Sequence, residues 1–315
     1  MSVPLSLSGK VALISGGSRG IGAATVRMFT AAGAKVAFSY RNARSQAKAL
    51  AEECGEGICH PIAGDLNNPE SARALVAEAV KHFGRIDILV ANHGVWPVAD
   101  VPIERMPDQQ WRSTLSINLD GVFGLVKHTV AQMKSQTRVH GPAGHIVLIS
   151  STSGQRGEAF HCDYSATKGA IISMVKSLSS ELASDGIYVN CVAPGWVDTD
   201  MSAEALADPK SGEEIRNTIP LGRVGKPEEI AAPVLFLCTE HAGFITVPYR
   251  HLPVTESLRS RLIQGGQHAP TTAIIDRYRA SSLFSLPNAN DAGARFTGAN
   301  WFRTAIVRVP QMRSR

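Results

Sequence analysis

Lys10-Val-Ala-Leu-Ile-Ser-Gly-Gly-Ser-Arg-Gly-Ile-Gly22 is the stretch that decides the fold. Its first half, Lys10 to Ile14, is a short apolar run that reads as a buried parallel strand. Its second half carries Gly16, Gly20 and Gly22. A helical pattern then runs from Ala23 to Ala32 and stops at Gly33, a residue suited to a C-cap. Strand, glycine turn and helix in that order form the first unit of a dinucleotide-binding fold. Glycine is needed where the backbone must approach a pyrophosphate. The helix N-terminus then presents unpaired amides and the positive end of its dipole. Without the flanking strand and helix, the same glycines would be an ordinary turn.

The rest of the body repeats this alternation. Strand candidates are 10–15, 35–39, 58–62, 86–91, 144–150 and 187–192. Helix candidates are 20–32, 43–54, 69–83, 107–136, 163–184 and 227–238. The pattern predicts an α/β chain, a Rossmann-type doubly wound parallel sheet with helices on both faces. Right-handed crossovers place every strand's C-terminal end on one edge, where such sheets bind ligands.

A second segment carries chemistry: Asp163-Tyr-Ser-Ala-Thr-Lys-Gly169. Tyr164 and Lys168 are four apart and share a helical face. An ammonium fixed beside a phenol favours the phenolate and lowers the tyrosine pKa, which makes a proton donor and acceptor usable near neutral pH. The spacing is common by chance; it gains meaning from the glycine turn upstream.

On these residues the chain resembles the short-chain dehydrogenase/reductase family over about residues 5–246. The glycine spacing is that family's, with Ser15 where threonine is usual. Asp65-Leu66, Asn92-His93-Gly94 (usually Asn-Ala-Gly), Asn118, Ser151, Tyr164, Lys168 and Pro194-Gly-Trp-Val-Asp-Thr199 follow in order. The pattern is most similar to 3-oxoacyl-acyl-carrier-protein reductases. The resemblance implies cofactor contacts from Gly16, Ser18, Arg19, Gly20, Ile21, Gly22, Asp65, Leu66, Asn92 and Gly94, and from Tyr164, Lys168, Pro194, Gly195, Val197 and Thr199. It implies that Ser151, thirteen residues before Tyr164, holds the substrate carbonyl; Ser150 and Ser153 are its rivals. It also implies that Tyr164 gives the proton, that Lys168 tunes it, and that Asn118 anchors a proton relay. A buried helix asparagine can instead serve backbone groups alone. Asp65 can equally cap a turn, and His93 either lines the pocket or packs. Trp96, Phe160, His161, Trp196 and Met201 flank the implied substrate volume, and two tryptophans there suggest an apolar or aromatic portion.

Cofactor choice follows from the end of the second strand. Val36-Ala-Phe-Ser-Tyr-Arg-Asn42 has no acid to hold a ribose 2′-hydroxyl. Arg41 stands there, and Arg19 of the glycine turn is a second guanidinium. Two guanidiniums suit a 2′-phosphate, unless both are merely solvated. The expected cofactor is NADP(H). The expected function is reduction of a carbonyl to a secondary alcohol, with a 3-oxoacyl thioester of acyl-carrier-protein or CoA first. A sugar, steroid or other secondary alcohol is the alternative. A non-catalytic nucleotide-binding protein is a third reading, should the C-terminal segment disable the site.

Composition fits an enzyme of this kind. The chain has 315 residues, 44% hydrophobic and 6% aromatic, with five scattered cysteines. Neither a disulfide framework nor a metal site is expected, and a reduced, cytoplasmic setting follows. The N-terminus lacks a signal-peptide pattern, and no stretch approaches the ~18–20 apolar residues of a membrane span. Residues 1–246 carry 22 Lys+Arg against 24 Asp+Glu; residues 247–315 carry ten Arg, no Lys and three acids. The net charge of +5 thus belongs to the tail. It has no basic stripe, so nucleic acid is not an expected partner.

Two regions are expected: a catalytic domain over 1–246 and an atypical arginine-rich segment over 247–315. The final strand is expected to be altered or displaced, with a candidate near 299–309 and poor order over 247–295. Either 247–295 is an insertion or the whole tail is foreign sequence. The resemblance also implies a homo-oligomer, at least a dimer, with helices 107–136 and 163–184 pairing across a two-fold axis.

Overall fold

A computed structural model describes residues 4–138 and 141–246, and the backbone of Leu252–Pro253. Six strands form the body of the sheet: β1 (Val11–Ile14), β2 (Lys35–Tyr40), β3 (Cys59–Ala63), β4 (Ile88–Ala91), β5 (Gly144–Ile149) and β6 (Ile187–Ala193). A two-residue strand, β7 (Leu252–Pro253), adds at the β6 edge, pairing Val192 with Leu252 and Ala193 with Pro253. All pairings are parallel, in the order β3-β2-β1-β4-β5-β6-β7. The chain leaves β1 in one direction and returns to β4 on its other side. That reversal opens a crevice beyond the carboxyl ends of β1 and β4. The chain divides into units 1–261 and 262–315. The expected strand near 299–309 lies outside the described residues.

The helices are α1 (Gly20–Ala31), α2 (Arg44–Cys54), α3 (Pro69–Phe83), α4 (Asp108–Leu115), α5 (Gly121–Ser135), α6 (Ser153–Arg156), α7 (Cys162–Leu182), α8 (Ala203–Ala207), α9 (Pro209–Thr218) and α10 (Pro227–Leu237). Alternate strand residues feed two cores. Ala12, Ile14, Val36 and Phe38 pack with α1, α2 and α10; Leu13, Ala37, Leu89 and Ile146 pack with α3, α5 and α7. Both sheet faces are covered, which is why the strands read as unbroken apolar runs.

Two local expectations change. The helix expected over 107–136 is broken by a π turn at Ser116–Asp120, between α4 and α5. Hydrophobic spacing cannot register one extra residue in a turn, so the break was invisible in sequence. No element was expected between 199 and 226, yet α8 and α9 lie there. The signal for α9 was present: Asp208 accepts from the Ser211 amide at 2.7 Å, ahead of Pro209 in the first turn. Among the described residues no helix is long and apolar enough to cross a membrane.

Candidate active site

One cleft of about 1250 Å³ runs along the carboxyl edge of the sheet. The positions expected to touch cofactor line it from Gly16, Ser18, Arg19, Gly20 and Ile21 through Arg41, Asp65, Leu66, Asn92 and Gly94. It continues past Ser151, Tyr164 and Lys168 to Pro194, Gly195, Val197 and Thr199. Trp96, Phe160, His161, Trp196 and Met201 wall its other end. Gly22 and Asn118 do not line it; Asn118 is fully buried and Gly22 lies behind the glycine turn.

The nucleotide end is organised by α1. Arg19 at its N-cap makes no side-chain cap, so the first-turn amides face the cleft without one. This cradle and the absence of an acid at the end of β2 fit an anionic dinucleotide. Arg19 Nη1 lies 3.2 Å from Asp200 Oδ2 across the cleft, with both side chains more than half exposed. An exposed pair of that kind is worth about 0–1 kcal/mol, so a phosphate can displace it at small cost. Asp65 is not the cap of α3. Asn68 fills that role, accepting from the Ser71 amide at 2.9 Å, and Asp65 stays exposed at the cleft.

At the other end the three serines separate. Ser150 Oγ donates to the Lys168 carbonyl at 2.8 Å, and Ser153 Oγ pairs with Ser165 Oγ at 2.7 Å. Ser151 Oγ accepts from the Ser153 amide at 3.1 Å and hydrogen-bonds Tyr164. Only Ser151 therefore joins a hydroxyl to the phenol. Lys168 is buried; its Nζ donates to the Ile149 carbonyl at 2.9 Å and sits 5.6 Å from the Tyr164 ring centroid.

The protonation of this pair departs from the sequence-based expectation. Burial pushes Tyr164 up to about 12, against an opposing hydrogen bond from Ser151. Burial also pushes Lys168 down to about 8. The ammonium is directed at a carbonyl rather than at the phenol, and desolvation outweighs the attraction the spacing implies. The protein's own groups thus hold Tyr164 neutral, the form from which a proton can be donated.

Asn118, in the π turn, is clamped. Its Oδ1 accepts from the Val95 amide at 2.8 Å, and its Nδ2 donates to the Val95 carbonyl at 2.9 Å and to Thr167 Oγ1 at 3.3 Å. It faces Lys168 across Gly94: a Cβ there would lie 3.2 Å from Asn118 Oδ1 and 3.5 Å from Lys168 Nζ. The substrate end is aromatic. His161, buried, stacks on Trp96 at 4.9 Å, and Trp96 meets the edge of Trp196 at 5.6 Å. Phe160 holds φ at 67°, the one positive value outside glycine among the described residues. Such strain often marks a functional loop.

His93 is a bonded packing residue whose ring also reaches the cleft: Nδ1 pairs with Ser15 Oγ at 2.8 Å and Nε2 with the Ile117 carbonyl at 3.1 Å. Burial and the Lys168 charge lower it to about 4. His145, at the start of β5, is likewise lowered to about 4, chiefly by burial. Both are neutral when folded, whereas the unfolded chain protonates near 6.5. Stability is therefore full above about pH 6.5 and is lost as pH falls towards 4. Each histidine is expected to withdraw about 2 kcal/mol between pH 7 and pH 5. Urea midpoints at the two pH values measure this, and a His145→Gln variant should show a shallower slope. Equal midpoints for the unmutated protein would refute it.

Sequence reasoning missed the groups that have no side-chain signature: the carbonyls of Ile149 and Ile117, and the backbone of Val95. Asp200 was readable, since it follows Thr199, a position expected to touch cofactor, and lines the same cleft.

A family model described as enoyl-(acyl carrier protein) reductase matches residues 16–249. Acetoacetyl-CoA reductase of Shinella zoogloeoides is 37% identical over 237 residues, 75% of this chain and 94% of that protein. A 3-oxoacyl-acyl-carrier-protein reductase of Synechocystis is 36% identical over 242 residues, 76% and 92% of the two chains. Among solved structures, a short-chain dehydrogenase/reductase from Brucella melitensis superposes with a TM-score of 0.70 at 34% identity, covering 78% of this chain and 95% of that one. A 3-ketoacyl-(acyl-carrier-protein) reductase from the same organism, complexed with NADH, superposes with a TM-score of 0.68 at 30% identity, covering 76% and 95%.

Proposed function

Because this chain belongs to the short-chain dehydrogenase/reductase family and two of its relatives are an acetoacetyl-CoA reductase and a 3-oxoacyl-acyl-carrier-protein reductase, we propose that it is an NADP(H)-dependent reductase of 3-oxoacyl thioesters. One observation carries the reading: Ser151, Tyr164 and Lys168 line one cleft together, with Lys168 Nζ 5.6 Å from the Tyr164 ring centroid. Bound in this cleft, a nicotinamide dinucleotide would supply the hydride.

The protein's own groups do the rest. Ser151 and Tyr164 hydroxyls hold the carbonyl oxygen, which orients the ketone and polarises it. Tyr164 passes its proton to that oxygen as negative charge develops there. The phenolate left behind is stabilised by Lys168, which remains cationic below about pH 8. Lys168 and Asn118 border the same space beside Gly94. A proton returning to Tyr164 from solvent would come from the cleft along the Lys168 side, with Asn118 buried behind it. The unpaired amides of α1 would hold the diphosphate, and Arg41, together with Arg19 if it leaves Asp200, would hold the 2′-phosphate.

Two structural expectations stand beside this as proposals. The region beyond residue 246, β7 excepted, is a sequence segment distinct from the catalytic domain. A homodimer forms through α5 and α7, where Phe123 on α5 is half exposed.

The test is NADPH consumption with acetoacetyl-CoA, longer 3-oxoacyl thioesters, diketones and simple ketones. The highest kcat/KM is expected for a thioester. An Arg41→Asp variant is expected to lose about tenfold or more of the preference for NADPH over NADH, because a 2′-phosphate would then face a carboxylate. A ketone or sugar preferred over every thioester would overturn the substrate assignment; an unchanged cofactor ratio would overturn the cofactor assignment.

A further inference from the structure

The end of β1 and the end of β4 are joined by a hydrogen-bond chain whose direction can be worked out. Ser15 is fully buried. Its Oγ accepts from the Asn92 amide at 3.0 Å and from the His93 amide at 3.2 Å. Both lone pairs of that oxygen are then used, so its proton points to His93 Nδ1 at 2.8 Å. Nδ1 is therefore the acceptor and Nε2 carries the ring proton. That proton is donated to the Ile117 carbonyl at 3.1 Å. Ile117 lies in the π turn, immediately before Asn118. Carbonyls in such a turn are shifted out of the regular helical ladder, so a side-chain donor there has a use.

The room for this ring is built in. A Cβ on Gly121 would fall 2.9 Å from His93 Nε2 and 2.2 Å from the Leu66 carbonyl, so only glycine leaves both groups in place. Ser15 and His93 are in direct contact, with no other group between the hydroxyl and the ring.

We propose that His93 is a positioning residue, a neutral imidazole that ties the strand beneath the glycine turn to the π turn carrying Asn118. It holds the nucleotide loop and the Asn118–Val95 clamp in one register. Ser15 and His93 form a matched pair. A threonine at 15 would add a γ-methyl to a site with no exposed surface, beside the imidazole. With alanine at 93 the same methyl would fill the space the ring vacates. The low His93 pKa keeps both ring bonds intact across the working pH range.

A double-mutant cycle tests this with His93→Ala, Ser15→Thr and the pair together. Readouts are kcat, KM and the NADPH dissociation constant from fluorescence titration. His93→Ala is expected to lower kcat/KM about 10- to 100-fold and to weaken NADPH binding, because a shift of about 1 Å in a positioned group has effects of that size. Ser15→Thr is expected to harm the protein that keeps His93, and to restore most of the loss when combined with His93→Ala. If His93→Ala is not recovered folded, His93→Gln carries the test, since its amide keeps a donor for Ile117. Independent effects of the two substitutions would overturn the proposal. So would a lower melting temperature with unchanged kcat and NADPH affinity, the result of packing alone. Turnover is a readout taken from the reductase reading above, but the NADPH titration is not. A wild-type chain that binds NADPH and reduces no thioester would defeat that reading and leave the affinity arm of this test standing.

Discussion

A Tyr164→Phe protein is expected to bind NADPH with near-normal affinity and to reduce its substrate about 10²- to 10⁴-fold more slowly. The substitution removes one hydroxyl and keeps the ring, so the packing against Lys168, 5.6 Å from the ring centroid, survives. What disappears is the proton. Ser151 can still orient a carbonyl, but its hydroxyl is too weak an acid to replace a phenol. Removing a cleft-lining hydroxyl that hydrogen-bonds Ser151 leaves that serine facing the cleft, where water can serve it. The fold should therefore be little changed, and the melting temperature is expected to stay within a few degrees of wild type. Steady-state turnover together with an NADPH titration decides the matter. Retention of more than about a tenth of wild-type kcat would remove Tyr164 from the role of acid.

Gly22→Ala is expected to act on the opposite end of the cleft and on the fold itself. An ideal Cβ at position 22 would lie 2.1 Å from the Gly16 carbonyl oxygen and 2.7 Å from Asn92 Nδ2. Neither neighbour can yield cheaply. The Gly16 carbonyl is backbone, and Asn92 Nδ2 donates to the carbonyls of Ser15 and Gly16 at 3.1 and 3.2 Å. A single methyl therefore pushes the first turn of α1 off the loop that should receive a pyrophosphate. Overpacking of this kind costs about 1–3 kcal/mol, and loss of the Asn92 bonds adds to it. NADPH binding is expected to weaken at least about 100-fold, since the amides at the helix N-terminus lose their aim. Thermal unfolding and the same titration are the measurements. An alanine variant with wild-type melting temperature and affinity would show that the turn relaxes around the methyl, contrary to the geometry.

The contrast between these two sites explains what could be read in advance. Gly22 was readable because a glycine at fixed spacing between a strand and a helix has a local cause. Tyr164 and Lys168 were readable as a helical pair for the same reason. Their protonation was not. The sequence shows a cation four residues from a phenol, but not that Lys168 would be buried and directed at the Ile149 carbonyl. Burial reverses the sign of the expected tyrosine shift. Ser151 was favoured over Ser150 and Ser153 by its distance along the chain. The structure separates them by showing where each hydroxyl goes. Arg19 was assigned to a phosphate, and the structure adds that it is already paired with Asp200 from a loop 181 residues away.

The six principal strands, most of the helices between them, and the edge of the sheet at which chemistry collects were all legible along the chain. They follow from side-chain periodicity and from glycine at particular turns, which are local properties of a polypeptide. The π turn that carries Asn118, the neutral state of Tyr164, and the bond that brings His93 from the end of β4 to Ile117 came only from three-dimensional packing. Desolvation and long-range hydrogen bonding depend on which distant segments exclude water from a group, and no pattern along the chain records that.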